Sequence, residues 1–209
     1  MAKVNKYYAV RKGSVPGIYR SWDECKVSIE GFPRPEFKSF STLEEAEAFM
    51  EGRSVQTVHN IADPDSVIAY ADGSFSPYKN QAGYGAIVIT QDGEEELFGV
   101  AKIHNESYPE LRQIVGELVA VMEVVKYCLK RGYTKITIYY DYIGIAHWAQ
   151  GTWSANNIAS QTYQQFMSNC GINVEFIKVP AHTNNVYNDK ADQAAKKGLG
   201  LIQTMKFKA

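Results

Sequence analysis

Three acidic residues stand where a solvated carboxylate is out of place. Glu117 borders the apolar stripe that Ile114, Leu118, Val121 and Val125 form at helical spacing. Asp72 and Asp141 each close an apolar run, residues 67–71 and 136–140, and the C-terminal ends of sheet strands are where ligands commonly bind. Taken singly, each has an ordinary alternative: a rim glutamate paired with a cation, or a turn or N-cap aspartate. Taken together they predict one acidic pocket, in which like charges repel unless cations neutralise them. Hard carboxylate oxygens without a Cys or His cage suit magnesium or manganese. Several such groups suit phosphoryl transfer between two metal ions.

The elements that must position these acids follow from periodicity. The segments 67–71, 84–90 and 95–102 read as strands, with a turn expected at Asp72-Gly73-Ser74. A long helix is expected over 109–131, a strand over 136–140, helices over 142–150 and 158–169, a strand over 173–179 and a closing helix over 185–199. The β-β-β-α-β-α-α-β-α order predicts an α/β domain whose mixed five-stranded sheet is flanked by helices. Ahead of it, strands at 6–10, 17–20 and 36–40 alternate with two short helices in the order β-β-α-β-α. Both helices carry a capping-box signature, Ser21 with Glu24 and Ser41 with Glu44. Trp22, Cys25 and Ile29 form the apolar stripe of the first; Leu43, Ala46, Phe49 and Met50 form that of the second. Periodicity fades after Glu51 into a polar stretch with Asp63-Pro64-Asp65. The chain therefore divides into a small α/β module at 1–53, a linker at 54–66 and a larger domain at 67–209.

Composition bounds the class. With 209 residues, 45% hydrophobic and 22% charged, the chain can bury a sizeable core, which excludes wholesale disorder and fibrous repeats. A net charge of −1 argues, as an average, against a strongly basic nucleic-acid binder. Cys25, Cys128 and Cys170 form no CxxC pair and are odd in number, so neither a disulfide framework nor a cysteine zinc site is expected. The N-terminus lacks an apolar signal region and no spanning apolar run occurs. A cytoplasmic protein without membrane association is expected, and nothing argues for more than a monomer.

At the acidic residues the sequence resembles ribonuclease H of type 1, in the architecture where a hybrid-binding, viroplasmin-like domain precedes the nuclease. Tyr70-Ala71-Asp72-Gly73-Ser74 is similar to the first family motif, Gly116-Glu117-Leu118 to the helical glutamate motif and Tyr139-Tyr140-Asp141 to the third. The segment from Ala181-His182 to Asn188-Asp189-Lys190-Ala191-Asp192 is similar to the fourth. The resemblance implies that Asp72, Glu117, Asp141 and Asp192 hold two Mg2+ ions, with Mn2+ as a substitute, at the scissile phosphate of the RNA strand in an RNA–DNA hybrid. It implies hydrolysis to 3′-hydroxyl and 5′-phosphate ends. His182 would assist proton movement or product release. Asp189 rivals Asp192, but the Asn188 to Asp192 spacing matches the motif. Gly73 and Ser74 would allow close approach to the RNA 2′-hydroxyl, and Gln113 stands where family members often carry Asn.

The N-terminal resemblance lies in Tyr7-Tyr8-Ala9-Val10-Arg11-Lys12-Gly13, Trp22-Asp23-Glu24-Cys25 and Phe37-Lys38-Ser39-Phe40. Residues 1–38 hold eight Lys and Arg against four acids, a formal +4. By family position Tyr8, Trp22, Phe37 and Lys38 would contact the hybrid, and double-stranded RNA is a second expected ligand. As residues alone, Trp22 and Phe37 equally suit core packing. Glu36 and Ser39 depart from the basic residues common there. No Lys or Arg occurs over 136–177, so the basic protrusion of some relatives is absent. Trp148 and Trp153 in that stretch read as core or rim packing. Two readings compete with the hybrid-specific nuclease: a hybrid- or double-stranded-RNA-binding protein whose nuclease domain has decayed, and a two-metal nuclease with another substrate.

Overall fold

The computed structural model describes residues 6–40, 42–52, 61, 63–179 and 185–201. The chain divides into two compact units. The first contains β1 (Tyr7–Lys12), β2 (Gly17–Tyr19), α1 (Trp22–Ile29), β3 (Glu36–Phe40) and α2 (Leu43–Met50), with an antiparallel sheet in the order β2-β1-β3. Neighbouring strand residues point to opposite faces, and both Ala9 and Val10 on β1 are fully buried, so each face of the sheet is covered. Ala46 of α2 joins Ala9 and Phe40 on one face, and Trp22 of α1 meets Tyr8 on the other.

The first capping box forms as its sequence predicts. Glu24 N–H donates to Ser21 Oγ, and Ser21 N–H donates to Glu24 Oε2, both at 3.2 Å. The Ser41–Glu44 box lies outside the described residues, as does most of the 54–66 linker. The expected stripe on α1 is displaced: Cys25 and Ser28 are buried, whereas Trp22 at the helix start is 45% exposed.

The second unit contains β4 (Ser66–Ser76), β5 (Gln81–Thr90), β6 (Gly93–Val100), a 3₁₀ turn at Pro109–Leu111, α3 (Gln113–Arg131), β7 (Lys135–Tyr140), α4 (Gly144–Ala149), α5 (Ile158–Ser168), β8 (Asn173–Lys178) and α6 (Val186–Gly198). Its mixed sheet runs β6-β5-β4-β7-β8, with β7 and β8 parallel to β4 and the other pairs antiparallel. Two expectations are corrected. No turn occurs at Asp72-Gly73-Ser74, because these residues pair with Gly85, Tyr84 and Gly83 and carry β4 on to Ser76. The helix expected from residue 109 starts at Gln113, because Arg112 adopts φ 48° and ψ −128°, which breaks the helical path.

One face of this sheet is apolar under α3, where Val115, Leu118, Val121 and Val125 pack with Val67, Ala69, Ile136 and Ile138. The other carries Tyr70, Ile87, Ile89, Val179 and Ala191. Missing side chains set the close approaches. A β-carbon on Gly83 or Gly85 would strike the α6 backbone at Ala195, and one on Gly116 of α3 would strike the carbonyl of Gly83. Along the edge strand β6, Glu94 pairs with Lys190, Glu95 with Arg131 and Glu96 with Lys197, so alternate acids tie α6 and α3 to the sheet. Among the described residues no helix is long and apolar enough to cross a membrane.

Candidate active site

The geometry of β4 explains why Asp72 is available for chemistry. Pairing with the parallel strand β7 ends at Tyr70–Tyr139, while pairing with β5 continues. Asp72 therefore stands just past the point where β7 stops pairing with β4, and Asp141 follows directly on the last residue of β7. From above, α3 contributes Glu117 one turn from its start. One carboxylate oxygen from each of Asp72, Glu117 and Asp141 lies within 4.8 Å of the others. Gly73 makes this convergence possible, because a β-carbon there would collide with the Gln113 carbonyl and sit 2.6 Å from the Glu117 amide nitrogen.

The electrostatics follow from crowding and burial. Glu117 is only 6% exposed. Burial, then the charges of Asp141 and Asp72, push its carboxyl up to about 9. Burial and the Asp141 charge push Asp72 up to about 7, against the pull of the Gly73 N–H, which donates to Asp72 Oδ1 at 2.7 Å. Such a pocket favours either protons or cations. Its donor set is all carboxylate oxygen, the chemistry of a hard divalent ion, and so fits magnesium or manganese.

The other expected residues divide. Asp192 on α6 is close enough for its charge to raise Asp72 but stands outside the three-carboxylate group; its Oδ2 receives Lys196 Nζ at 2.6 Å. Ser74 is nearly buried on β4, and Gln113 is exposed at the start of α3. His182 lies outside the described residues. Sequence reasoning missed Lys196, although its i,i+4 spacing from Asp192 on one helix was a readable signal. It also missed Tyr142, whose hydroxyl is raised by burial and by the Glu117 charge. Tyr142 leads into an aromatic rim: its ring is 5.8 Å from Trp148, which meets Trp153 edge-on at 6.0 Å, and His147 stacks on Trp153 at 4.7 Å. Trp148 packs against the core, and Trp153 is 38% exposed.

In the first unit the structure brings three expected residues together. The Trp22 ring lies 5.8 Å from Tyr8 and 6.0 Å from Phe37, and both Trp22 and Phe37 face solvent rather than the core. Lys38 follows Phe37 on β3 and so points to the opposite face of the sheet. Beside Phe37, Glu36 forms ion pairs with Arg11 and Lys12.

Comparison with known proteins agrees with both units. Residues 6–50 match the family described as Ribonuclease H1 N-terminal domain, and residues 64–200 match the family RNase H. Ribonuclease H1 of Rattus norvegicus is 23% identical over 258 aligned positions, covering 92% of this chain and 88% of the relative. The crystal structure of RNase H1 from Halobacterium salinarum NRC-1 superposes with a TM-score of 0.50 at 20% identity, over 66% of this chain and 99% of that one. That of LC11-RNase H1 in complex with RNA/DNA hybrid also gives 0.50, at 16% identity, over 64% and 99%.

Proposed function

Because the chain belongs to the ribonuclease H family and joins a Ribonuclease H1 N-terminal domain to the nuclease domain, we propose that it cleaves the RNA strand of RNA–DNA hybrids through Asp72, Glu117, Asp141 and Asp192. The observation that carries this reading is the convergence of three carboxylates from β4, α3 and the end of β7 within 4.8 Å. The solved complex of LC11-RNase H1 with an RNA/DNA hybrid supports the choice of substrate.

In this reading Asp72, Glu117 and Asp141 hold the metal site, and Asp192 completes it from α6. A pair of bound Mg2+ ions, or Mn2+ in their place, supplies the positive charge that phosphoryl transfer to water requires. The attack is in line with the 3′-oxygen that leaves, so the P–O3′ bond breaks and the ends are a 3′-hydroxyl and a 5′-phosphate. His182 assists proton movement or product release. Gly73 and Ser74 admit the RNA 2′-hydroxyl side of the duplex, and Gln113 at the start of α3 contacts it through its amide. The module at 1–53 grips the hybrid through Tyr8, Trp22, Phe37 and Lys38, takes double-stranded RNA as a further ligand, and is joined through the linker at 54–66 to the catalytic domain at 67–209. The protein acts as a cytoplasmic monomer.

The test compares an RNA–DNA hybrid, double-stranded RNA and double-stranded DNA of one sequence with magnesium present. Hybrid-selective cleavage that Asp141→Asn abolishes, while hybrid binding persists, is expected. Equal cleavage of the three duplexes, or none with either magnesium or manganese, overturns the reading.

A further inference from the structure

The helix that carries Asp192 also brings a cation to the acidic pocket. Gly73 turns the place of its absent β-carbon toward α3, so Asp72, one residue earlier on β4, points to the opposite face of the sheet, that of Tyr70 and Ala191. The ladder partner of Asp72 is Gly85, where a β-carbon would sit 2.3 Å from the Ala191 carbonyl oxygen and 2.2 Å from the Ala195 amide nitrogen. Asp192 and Lys196 each follow one of these two contacts on α6. They lie about one helical turn apart, and Lys196 Nζ donates to Asp192 Oδ2 at 2.6 Å.

The ammonium acts on more than its partner. Asp72 is raised chiefly by burial and by the Asp141 charge, and Lys196 draws it back down. Lys196 therefore adjoins both Asp72 and Asp192. Asp72, Glu117 and Asp141 bring their oxygens within 4.8 Å of one another, a group that Asp192 does not join. Stability does not account for the Lys196–Asp192 pair, because its side chains remain 42% and 37% exposed. The same exposure lets it open at small cost, since Lys196 has water to swing into.

We propose that Lys196 is an exchangeable counter-ion of the metal site: it holds Asp192 apart from the three clustered acids and yields it when a second divalent ion binds. The proposal rests on the reading of Asp192 as a metal ligand. Asp192 Oδ2 serves the ammonium or a divalent ion, because two cations on one oxygen repel each other. The two ions are consequently held unequally. The first meets the three clustered carboxylates, whereas the second competes with Lys196 for Asp192. A substrate phosphate adds negative charge at the pocket and tips that competition toward the divalent ion.

The experiment titrates Mn2+ into the full-length protein without nucleic acid and counts bound ions from the electron paramagnetic resonance signal of the free ion. Thermal melts check that each variant is folded. Lys196→Met and Lys196→Gln are both expected to tighten the weaker site by about fivefold or more, as removal of a unit charge beside a divalent ion implies. Lys197→Met removes the same charge one residue along, from a lysine paired with Glu96 on β6. It is expected to leave the weaker site within about twofold of wild type, because solvent screens the more distant charge. Equal tightening in the Lys196 and Lys197 variants reduces the effect to overall charge and overturns the proposal. An unchanged or weakened second site in both Lys196 variants overturns it as well. Asp192→Asn is expected to lose the weaker site; full retention there removes Asp192 from the metal ligands and overturns the underlying reading together with the proposal.

Discussion

Tyr70 and Tyr139 stack face to face, ring centres 4.6 Å apart and planes 10° from parallel, and each stands two residues before a carboxylate of the acidic pocket. They are register partners on β4 and β7, and Tyr187 of α6 adds a third ring 5.3 Å from Tyr70. Three elements that carry Asp72, Asp141 and Asp192 thus meet at one aromatic contact. Tyr70 is fully buried. Tyr70→Ala is expected to lower stability by about 3–5 kcal/mol, and Tyr70→Phe by about 1 kcal/mol. Denaturant unfolding measures both; equal losses would mean that the ring stack contributes nothing.

Gly73→Ala separates placement of Glu117 from folding. The added methyl meets backbone on α3, which cannot move aside as a flexible side chain would. Cleavage of a hybrid is expected to fall by about 100-fold or more, as misplacement of a catalytic group by an ångström implies. Unfolding should cost only about 1–3 kcal/mol. A variant with near-normal turnover would show that α3 has room to shift.

Without divalent ions, stability should fall as pH rises. Below about pH 3 Asp72 and Glu117 are protonated in both folded and unfolded chains. With rising pH the unfolded chain ionises near 3.8 and 4.5, while the folded protein keeps protons on Asp72 to about 7 and on Glu117 to about 9. The favourable contribution of the protonated acids is therefore lost progressively through that window. Asp72→Asn should flatten the loss and raise the melting temperature in EDTA at pH 8, a gain of about 1–3 kcal/mol. Magnesium should stabilise the wild type more at pH 8 than at pH 5. A melting temperature indifferent to pH in EDTA would contradict this account.

The three carboxylates were legible in the sequence because each sat at a detectable conflict: an acid beside a helical apolar stripe or at the end of a strand-like run. The mixed sheet was legible from the order of its elements. Other features depend on partners distant in sequence. Asp72-Gly73-Ser74 has turn-forming composition, yet β5 supplies a full set of ladder partners and the strand continues. Trp22 falls in phase with an apolar stripe, but the helix buries the Cys25–Ser28 side instead. The three tyrosines of the stack lie far apart in the chain, and aromatic residues in strands give no sign of which ring they will meet.

Removing residues 1–53 should weaken hybrid affinity by about 10-fold or more, since the half-buried Tyr8 ring, the exposed Trp22 and Phe37 rings and their basic neighbours go with it. Single-turnover cleavage at saturating enzyme should stay within about threefold of the full chain, because the three clustered acids lie on β4, α3 and the end of β7. Titration of hybrid against both proteins, followed by rapid-quench cleavage, checks the two halves separately. Unchanged affinity would remove the module from substrate binding.

At Gly83 the sheet layer between α3 and α6 is a single backbone thick. The carbonyl of this residue faces Gly116, next in the chain to Glu117, and the place of its absent β-carbon is taken by Ala195, three residues beyond Asp192. The contact with Gly116 is backbone on backbone, and on the α6 side the Leu199 side chain shares the space with the Ala195 carbonyl. The spacing between α3 and α6 here is consequently a fixed dimension, set by the width of one strand, against which any adjustment of the acids must be made by their own side chains.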